Sequence, residues 1–509
     1  MDLFARTFLP RTASPASKRL LALFCFALIT VSHGGALAGG TARTEPRDST
    51  GAGGFLSRAA ARFSLFDWMR GGGGAGRADS TSGACADLER ECKNLEPFYG
   101  CTVDTIIVSG NTHTKAIAIL REMATKQGGR LNERLIRRDS AYLRGLAYFA
   151  EVAVAAEETG YGKCRILVTL VERPGIFMRV PYPVVNYDFE KGLSYGATWK
   201  VKNFRGLAED LSISALKRRD KEEGANFSWN VPWFMGRRMR FRFDAYTYRR
   251  LQAPIDADED YVREQTAGAV GIGIPLTRNL VKQLWIKTNL SFEGRDSRIT
   301  LADAGGAPTG VFCRQNFISV GAELEYDSRS NRISPFNGML HRLRVRRYTS
   351  VTGPDQQYVF YGFSDYFYVP TGTERSFIFA VNGDIREGDV PSYFNMKLGG
   401  VRDLRGFSDP DLRGSTKLVA TVQYRAQLFG PHVFKLPKIG EFDFTMNGVV
   451  FLDNGALMNS ILDVGKATFY TTGGFGVELI SPFRDIIRLE MASDGTGTPA
   501  FYLTAGTVF

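Results

Sequence analysis

The sequence predicts an antiparallel β-barrel of about sixteen strands that crosses a membrane, preceded by one small α+β domain. The prediction starts from the 175–509 region. It breaks into alternating segments of about ten residues or more, separated by turn signals. In Lys417–Leu428, for example, Leu418, Ala420, Val422, Tyr424, Ala426 and Leu428 share one face, while Lys417, Thr421, Gln423 and Arg425 share the other. A soluble sandwich would bury the apolar face and a membrane barrel would turn it to lipid, so alternation alone does not choose between them. The leader at the N-terminus, the strand count and the terminal Phe509 select the barrel.

The leader is residues 1–38. Lys18-Arg19 precede the apolar run Leu20–Val31, and Ala36-Leu37-Ala38 forms a small-x-small cleavage site. The apolar run is too short to cross a bilayer as a helix. Residues 39–100 read as a flexible linker rich in Gly, Thr and Ser. Within it, Leu56, Ala59, Phe63 and Phe66 recur at helical steps over 55–70, the pattern of a short amphipathic helix for a membrane or partner surface. Removing the leader takes away a net +3 from the formal charge of +11 and leaves +8. No basic block with interleaved aromatics accompanies that surplus, which excludes a nucleic-acid groove and leaves an anionic lipid surface as its partner. With 37 Phe, 20 Tyr and 55 Gly against a slightly negative mean hydropathy, the composition suits strands that are apolar on one face only.

Residues 101–174 change pattern. Val103–Val108 is a strand, and Gly110-Asn111 a turn. Thr114 stands where an N-cap belongs, before Ile117, Leu120 and Met123, and Asn132 caps a second helix with Leu135, Ile136, Leu143 and Leu146. Val152–Val154 and Ile166–Val171 form a hairpin joined around Gly160 and Gly162. The order is β-α-α-β-β.

Late in the chain, Gly399-Gly400-Val401-Arg402-Asp403-Leu404-Arg405-Gly406-Phe407 lies between two strand-like runs, too polar for a core and too Gly-rich for a helix. It presents a cation and an aromatic on a bend. Asp453 follows in Phe-Leu-Asp-Asn-Gly. By alternation Arg425, Asp453, Glu478, Arg488 and Glu490 point into the barrel, while Val450 and Leu452 point out.

These features resemble the BamA-like superfamily of outer-membrane assembly barrels, the bacterial surface antigen family. Further matches are Asn203-Phe204-Arg205-Gly206, Tyr326-Asp327-Ser328-Arg329 with Pro335 and Gly338, and Gly473-Gly474-Phe475-Gly476 before Ser481-Pro482. The 101–174 unit resembles a polypeptide-transport-associated (POTRA) domain through Val-Ser-Gly-Asn-Thr at Val108–Thr112, Tyr-Phe-x-x-Val at Tyr148–Val152 and Val-Glu-Arg-Pro at Val171–Pro174, although Ala147 stands where the family usually has Gly. The resemblance implies an outer-membrane barrel over 175–509 with a periplasmic POTRA domain. It implies that Arg405, Gly406 and Phe407 fold into the lumen on a surface loop and dock on Asp453, Glu478 or both. The family often carries an acid near Gln423 and Arg where Glu478 stands, which leaves room for a rearranged partner assignment here. It also implies a role in folding and inserting other barrel proteins, with unfolded outer-membrane clients, outer-membrane lipid and periplasmic accessory proteins as partners. A secretion pore for one partner polypeptide and a structural or lipid-handling barrel are the alternatives.

Two further expectations concern particular residues. In the β-α-α-β-β topology the first and third strands are parallel neighbours, so Cys101 and Cys164 open them at the same end and form a disulfide. Cys85 and Cys92 could instead pair with each other or compete for Cys101. The lateral seam would join a first strand at about 177–190, holding Pro181 and Pro183, to a last strand at about 501–509, holding Gly506 and Phe509; Pro removes ladder donors and Gly weakens a strand interior.

No enzyme and no cofactor are expected. Gly192-Leu193-Ser194-Tyr195-Gly196 spells G-x-S-x-G, but it runs into a strand instead of the strand-turn-helix of a nucleophile elbow. Gly71–Gly74 lacks the Lys-Ser/Thr of a phosphate loop. Four His in the whole chain and no Cys spacing of a zinc module argue against a metal site.

Overall fold

The computed structural model describes residues 94–505, apart from 145, 147, 174, 176–178, 180, 190–191, 219–221, 253–260, 278–282, 290–294, 303–307, 330–332, 437–439 and 482–484. The leader, segment 55–70, Gly71–Gly74, Cys85, Cys92, Phe177, Gly506 and Phe509 lie outside the described residues.

The small domain is a three-stranded sheet ordered β1-β3-β2, with β1 (Thr102–Ser109) parallel to β3 (Lys163–Glu172) and β2 (Phe149–Gly160) antiparallel to it. Helices α1 (Ala116–Leu120) and α2 (Glu133–Arg144) connect β1 to β2. Burial alternates along β3, where Cys164, Ile166, Val168 and Leu170 point into a core shared with Ile119, Met123, Ile136 and Leu143. Asn132 starts α2, its Oδ1 accepting the Leu135 N–H at 3.3 Å. Thr114 does not cap α1: Lys115 holds that position without a side-chain bond, and Thr114 is used elsewhere. The domain also begins before residue 101, because Leu95 is buried in its core and Phe98 and Tyr99 pack against it. The 39–100 linker is therefore shorter at its C-terminal end than the composition suggests. Cys101 and Cys164 are disulfide-bonded across the β1–β3 start, with Cα atoms 5.9 Å apart.

The barrel is built from β4 (Tyr182–Asp188), β5 (Gly192–Phe204), β6 (Glu209–Arg218), β7 (Glu222–Val231), β8 (Arg240–Gln252), β9 (Tyr261–Pro275), β10 (Gln283–Asn289), β11 (Arg295–Ala302), β12 (Pro308–Asp327), β13 (Gly338–Thr352), β14 (Gln357–Gly372), β15 (Arg375–Gly388), β18 (Thr416–Leu436), β19 (Gly440–Met458), β20 (Phe469–Ile480), β21 (Ile486–Ser493) and β22 (Ala500–Ala505). All pair antiparallel, and β22 closes on β4. β10 and β11 both lie between β9 and β12 and share one place in the wall, which gives sixteen strand positions among the described residues. The hairpin β16 (Met396–Gly399)–β17 (Ser408–Gly414) stands outside this order. The outward face is apolar and accessible, with Val450 at 60 % and Phe475 at 61 % exposure, while Phe451 and Asp453 on the other face are buried. The first strand is shorter than 177–190: Pro181 precedes β4, and Pro183 lies within it, opposite Ala197 of β5.

Candidate functional site

The β16–β17 hairpin is tucked into the lumen. Met396, Leu398, Leu404 and Phe407 form a small core with Val419 of β18 and Leu457 of β19. At its tip Arg405 is 5 % exposed. Its Nε donates to Asp453 Oδ2 at 2.7 Å, its Nη2 to Asp453 Oδ1 at 2.8 Å and its Nη1 to Glu490 Oε1 at 2.9 Å. The guanidinium carbon lies 3.3 Å from the Phe451 ring centroid. The fork of Arg suits this bidentate pair with a second acid at its side. Thr421 Oγ1 adds a bond to Asp453 Oδ1 at 2.8 Å.

Gly406 has φ +82°, and a Cβ there would fall 2.7 Å from backbone atoms of Ala492 and Ser493 on β21. That close approach lets the Gly406 N–H reach Tyr502 Oη on β22 at 2.9 Å. Phe407 packs on Tyr470, ring centroids 4.4 Å apart. The three residues thus hold β19, β20, β21 and β22 together from inside.

Glu478 is not a partner of Arg405. It sits opposite Arg488 in the β20–β21 register and binds Arg488 Nε at 3.0 Å and Arg425 Nε at 2.8 Å. The second acid on Arg405 is Glu490, also inward on β21. Three Arg and three carboxylates form two adjacent groups, one Arg between two acids and one acid between two Arg, that balance in charge only together, all six nearly fully buried. The Arg425 group reaches a second inward segment, which sequence reasoning did not assign. Arg425 Nη1 donates to the Pro335 carbonyl at 3.2 Å, and Asn447 Nδ2 to Ser334 Oγ at 3.3 Å. Ser334 and Pro335 of the β12–β13 connection therefore reach inward residues of β18 and β19 at the end nearest the small domain, and the Tyr-Asp-Ser-Arg…Pro motif was the signal.

The seam is thin. Among the described residues, which end at Ala505, β22 and β4 share two residue pairs, Tyr502 with Asp188 and Leu503 with Tyr187, against six pairs between β21 and β22 and seven between β4 and β5. Below them a side chain replaces the ladder, the Ala505 N–H donating to Asn186 Oδ1 at 2.7 Å. A clasp bypasses β22. Asp485, in the β20–β21 connection, accepts from Lys200 Nζ of β5 at 2.6 and 2.7 Å and from the Tyr182 hydroxyl of β4.

Asn203-Phe204-Arg205-Gly206 docks the small domain on the barrel. Asn203 is buried with φ +55°; its Nδ2 donates to Thr114 Oγ1 at 2.7 Å, and its carbonyl is 3.0 Å from His113 Nε2. The Lys115 N–H donates to the Gly206 carbonyl at 2.9 Å, and Trp233 Nε1, on the β7–β8 connection, donates to Glu122 Oε1 at 2.5 Å. Glu172 holds the docking loop, accepting from Thr112 Oγ1 at 2.7 Å and from the His113 and Thr114 N–H groups at 2.9 and 2.7 Å. Burial alone would raise the Glu172 carboxyl, but the hydrogen bonds from Thr114, Thr112 and His113 outweigh it and hold it below its ordinary 4.5. A depressed carboxylate stabilises fully above its unfolded value and loses that contribution as pH falls through the folded one. Hydrogen-exchange protection of residues 112–116 is expected to be constant from neutral pH to about 5 and to fall below about 4; Glu172→Gln should remove the acid-dependent step.

Ser194 of the G-x-S-x-G lies in β5 with its hydroxyl on the Asn186 carbonyl at 3.3 Å, in strand geometry. Among the described residues no group of three or more His, Cys, Asp or Glu is placed to hold a metal ion.

Comparison with known proteins gives the family. Residues 203–509 match the model of the Omp85 superfamily domain. This chain belongs to the Omp85 superfamily. In this Omp85 protein, residues 101–173 also match the POTRA model, described as a surface antigen variable number repeat. The fold is similar to CdiB from Escherichia coli (14 % identity, TM-score 0.55, covering 80 % of this chain and 77 % of that one). It is also similar to BamA from Haemophilus ducreyi lacking POTRA domains 1–3 (14 %, 0.50, 80 % and 84 %) and to CdiB from Acinetobacter baumannii (11 %, 0.51, 80 % and 74 %). No curated protein sequence matches the chain significantly. Membership implies an outer-membrane barrel.

Proposed function

We propose that this Omp85 protein folds and inserts other β-barrel chains into the outer membrane, opening at the β22–β4 seam to admit client strands. The observation that carries the reading is that seam: among the described residues, two backbone pairs and one side-chain substitute join strands whose other neighbours pair over six or seven positions. Such a junction is a liability for a passive wall and an opportunity for strand exchange. The POTRA domain faces the periplasm and receives clients by β-augmentation on the edge of β2. The Val152 carbonyl is already capped by Arg144 at 3.0 and 2.8 Å, so the receptive stretch lies beyond it, at Ala156–Gly160. The loop tip, bonded to Tyr502 of the seam strand, links the docked hairpin to opening.

A pore that secretes one partner is the other reading. The two inward segments weigh against a standing channel, since the β16–β17 hairpin and the Ser334–Pro335 stretch both occupy the lumen. Continuing the observed register places residue 185 opposite residue 505. A Val185→Cys/Ala505→Cys pair is expected to crosslink on oxidation, block insertion of newly made barrel proteins and restore it on reduction. Full activity of the crosslinked barrel sinks lateral opening. Depletion followed by an outer-membrane proteome separates the readings: broad loss of barrels means insertion, and loss of a single secreted protein means a pore.

A further inference from the structure

A cavity of about 300 Å³ lies against the inner wall from β12 to β15, in the half of the barrel away from the POTRA domain. Two rows of register partners cross it. One runs Glu323, Arg344, Gly362, Asp384, and the other Gly321, Arg346, Phe360, Arg386. Asp384 pairs in turn with Lys417, which faces the lumen and binds Asp403 of the docked hairpin at 2.8 Å, so these rows point inward. Bare backbone makes the room. A Cβ at Gly321 would fall 3.1 Å from the Arg346 Cβ, and one at Gly362 would fall 3.0 Å from Nε and Nη2 of Arg344. Phe360 lies 5.5 Å from the Arg344 guanidinium, and Tyr348 and Tyr358, stacked with centroids 4.6 Å apart, form an apolar side. Arg386 also donates to the Phe394 carbonyl, which brings the start of the inward loop beside the cavity.

Lumen arginines elsewhere in this barrel are held closely by carboxylates: Arg405 by two acids at 2.7 and 2.9 Å, Arg425 and Arg488 by Glu478 at 2.8 and 3.0 Å. Arg344 is not. Its one acceptor among the described residues is Asp384 Oδ1, at 3.5 Å, and its side chain keeps 39 % exposure where it lines the cavity. The lining sets three guanidinium groups against two carboxylates, Glu323 and Asp384, which leaves one positive charge over. A recess with surplus positive charge, an under-used arginine fork and aromatic sides is completed by an anion that offers two oxygens side by side. Its size is that of a small-molecule pocket. We propose that this cavity binds a small organic oxyanion, a carboxylate or phosphate group on an apolar or aromatic body, with Arg344 as the anchor and Phe360 and Tyr358 beside the body. The inference stands apart from what the seam does.

The test uses the full chain in lipid nanodiscs, with benzoate and phenyl phosphate as probes and benzamide as the uncharged control. Saturation-transfer NMR reads binding, and protection of Arg344 from hydroxyphenylglyoxal, read by peptide mass mapping, places it. At least one of the two acids should bind and protect Arg344, the tighter one naming the oxyanion, while benzamide does neither. Arg344→Gln should weaken binding about tenfold or more. Gly362→Ala adds a methyl that meets the ends of the Arg344 and Phe360 side chains, so the strand is kept and binding should fall by a similar factor. Asp384→Asn removes a competing acid and should tighten binding several-fold, a gain that a purely structural role for these residues would not give. Heat-modifiable mobility reports whether each variant barrel is folded. A folded wild-type chain that binds neither acid overturns the proposal. So does benzamide that binds as well as the acids, acid binding that survives both Arg344→Gln and Gly362→Ala, or Asp384→Asn that fails to tighten it.

Discussion

Arg405→Ala is expected to release the β16–β17 hairpin from the lumen and to cost about 3–5 kcal/mol, because it strands buried acids instead of removing a balanced pair. Asp453 is 0 % and Glu490 2 % exposed, and both place a carboxylate oxygen within 2.9 Å of the guanidinium. Without it two like charges face each other in a site with little water. The neighbouring Arg425 and Arg488 are already bound to Glu478. Arg405→Lys keeps the charge but cannot bridge two acids, so an intermediate loss is expected. Arg402, exposed on the same loop, is the control: Arg402→Ala should leave mobility and function unchanged. External protease cleavage within 396–414 on intact cells, read beside client insertion, checks this. Equal effects of the two variants, or rapid cleavage of the wild-type loop, count against the latch.

The second large effect is expected from Gly206→Ala. Gly206 has φ +71°, and a Cβ would fall 2.2 Å from the His113 carbonyl oxygen, closer than any carbon can sit. Its neighbours already hold strained backbone, with Asn203, Arg205 and Ala208 at φ +55°, +59° and +61°. Such conformations cost on the order of 1–3 kcal/mol each and persist only where surrounding contacts hold them. Once the POTRA loop is pushed away, the Asn203–Thr114 and Lys115–Gly206 bonds go with it, and the turn relaxes. The POTRA domain should stay folded and the barrel heat-modifiable. Protection of the Lys115 amide should fall by tenfold or more, and client insertion should drop with it. Unchanged protection would show that the loop accommodates the added methyl and that the docking does not depend on this close approach.

Much of this architecture is legible in the sequence because strand alternation is a strict code: one residue in two faces the lumen, and Asp453 follows from Val450 and Leu452. Depth is not encoded that way. Glu478 and Glu490 both point inward on adjacent strands, and only the register, which sets Glu478 opposite Arg488, decides which of them meets Arg405. The Asn-Phe-Arg-Gly stretch is visible as a motif, but its work is a left-handed turn fitted to another domain. Thr114 shows the same limit. Its position suits a helix cap, yet its hydroxyl is taken by Asn203, because a tertiary bond across 89 residues outweighed a local one.

The Asp485 clasp decides how load travels round the wall. Asp485 belongs to the β20–β21 connection, and its partners Tyr182 and Lys200 stand on β4 and β5. Tension at the POTRA end therefore passes from β21 to β5 without entering β22. The described part of the last strand lies between tied neighbours, held to β4 by two backbone pairs towards the far rim and by Asn186 below them. If those bonds part, the clasp remains as a pivot and the gap opens as a wedge, narrow at the POTRA end and wide at the far rim. The perimeter at its base survives the departure of the strand.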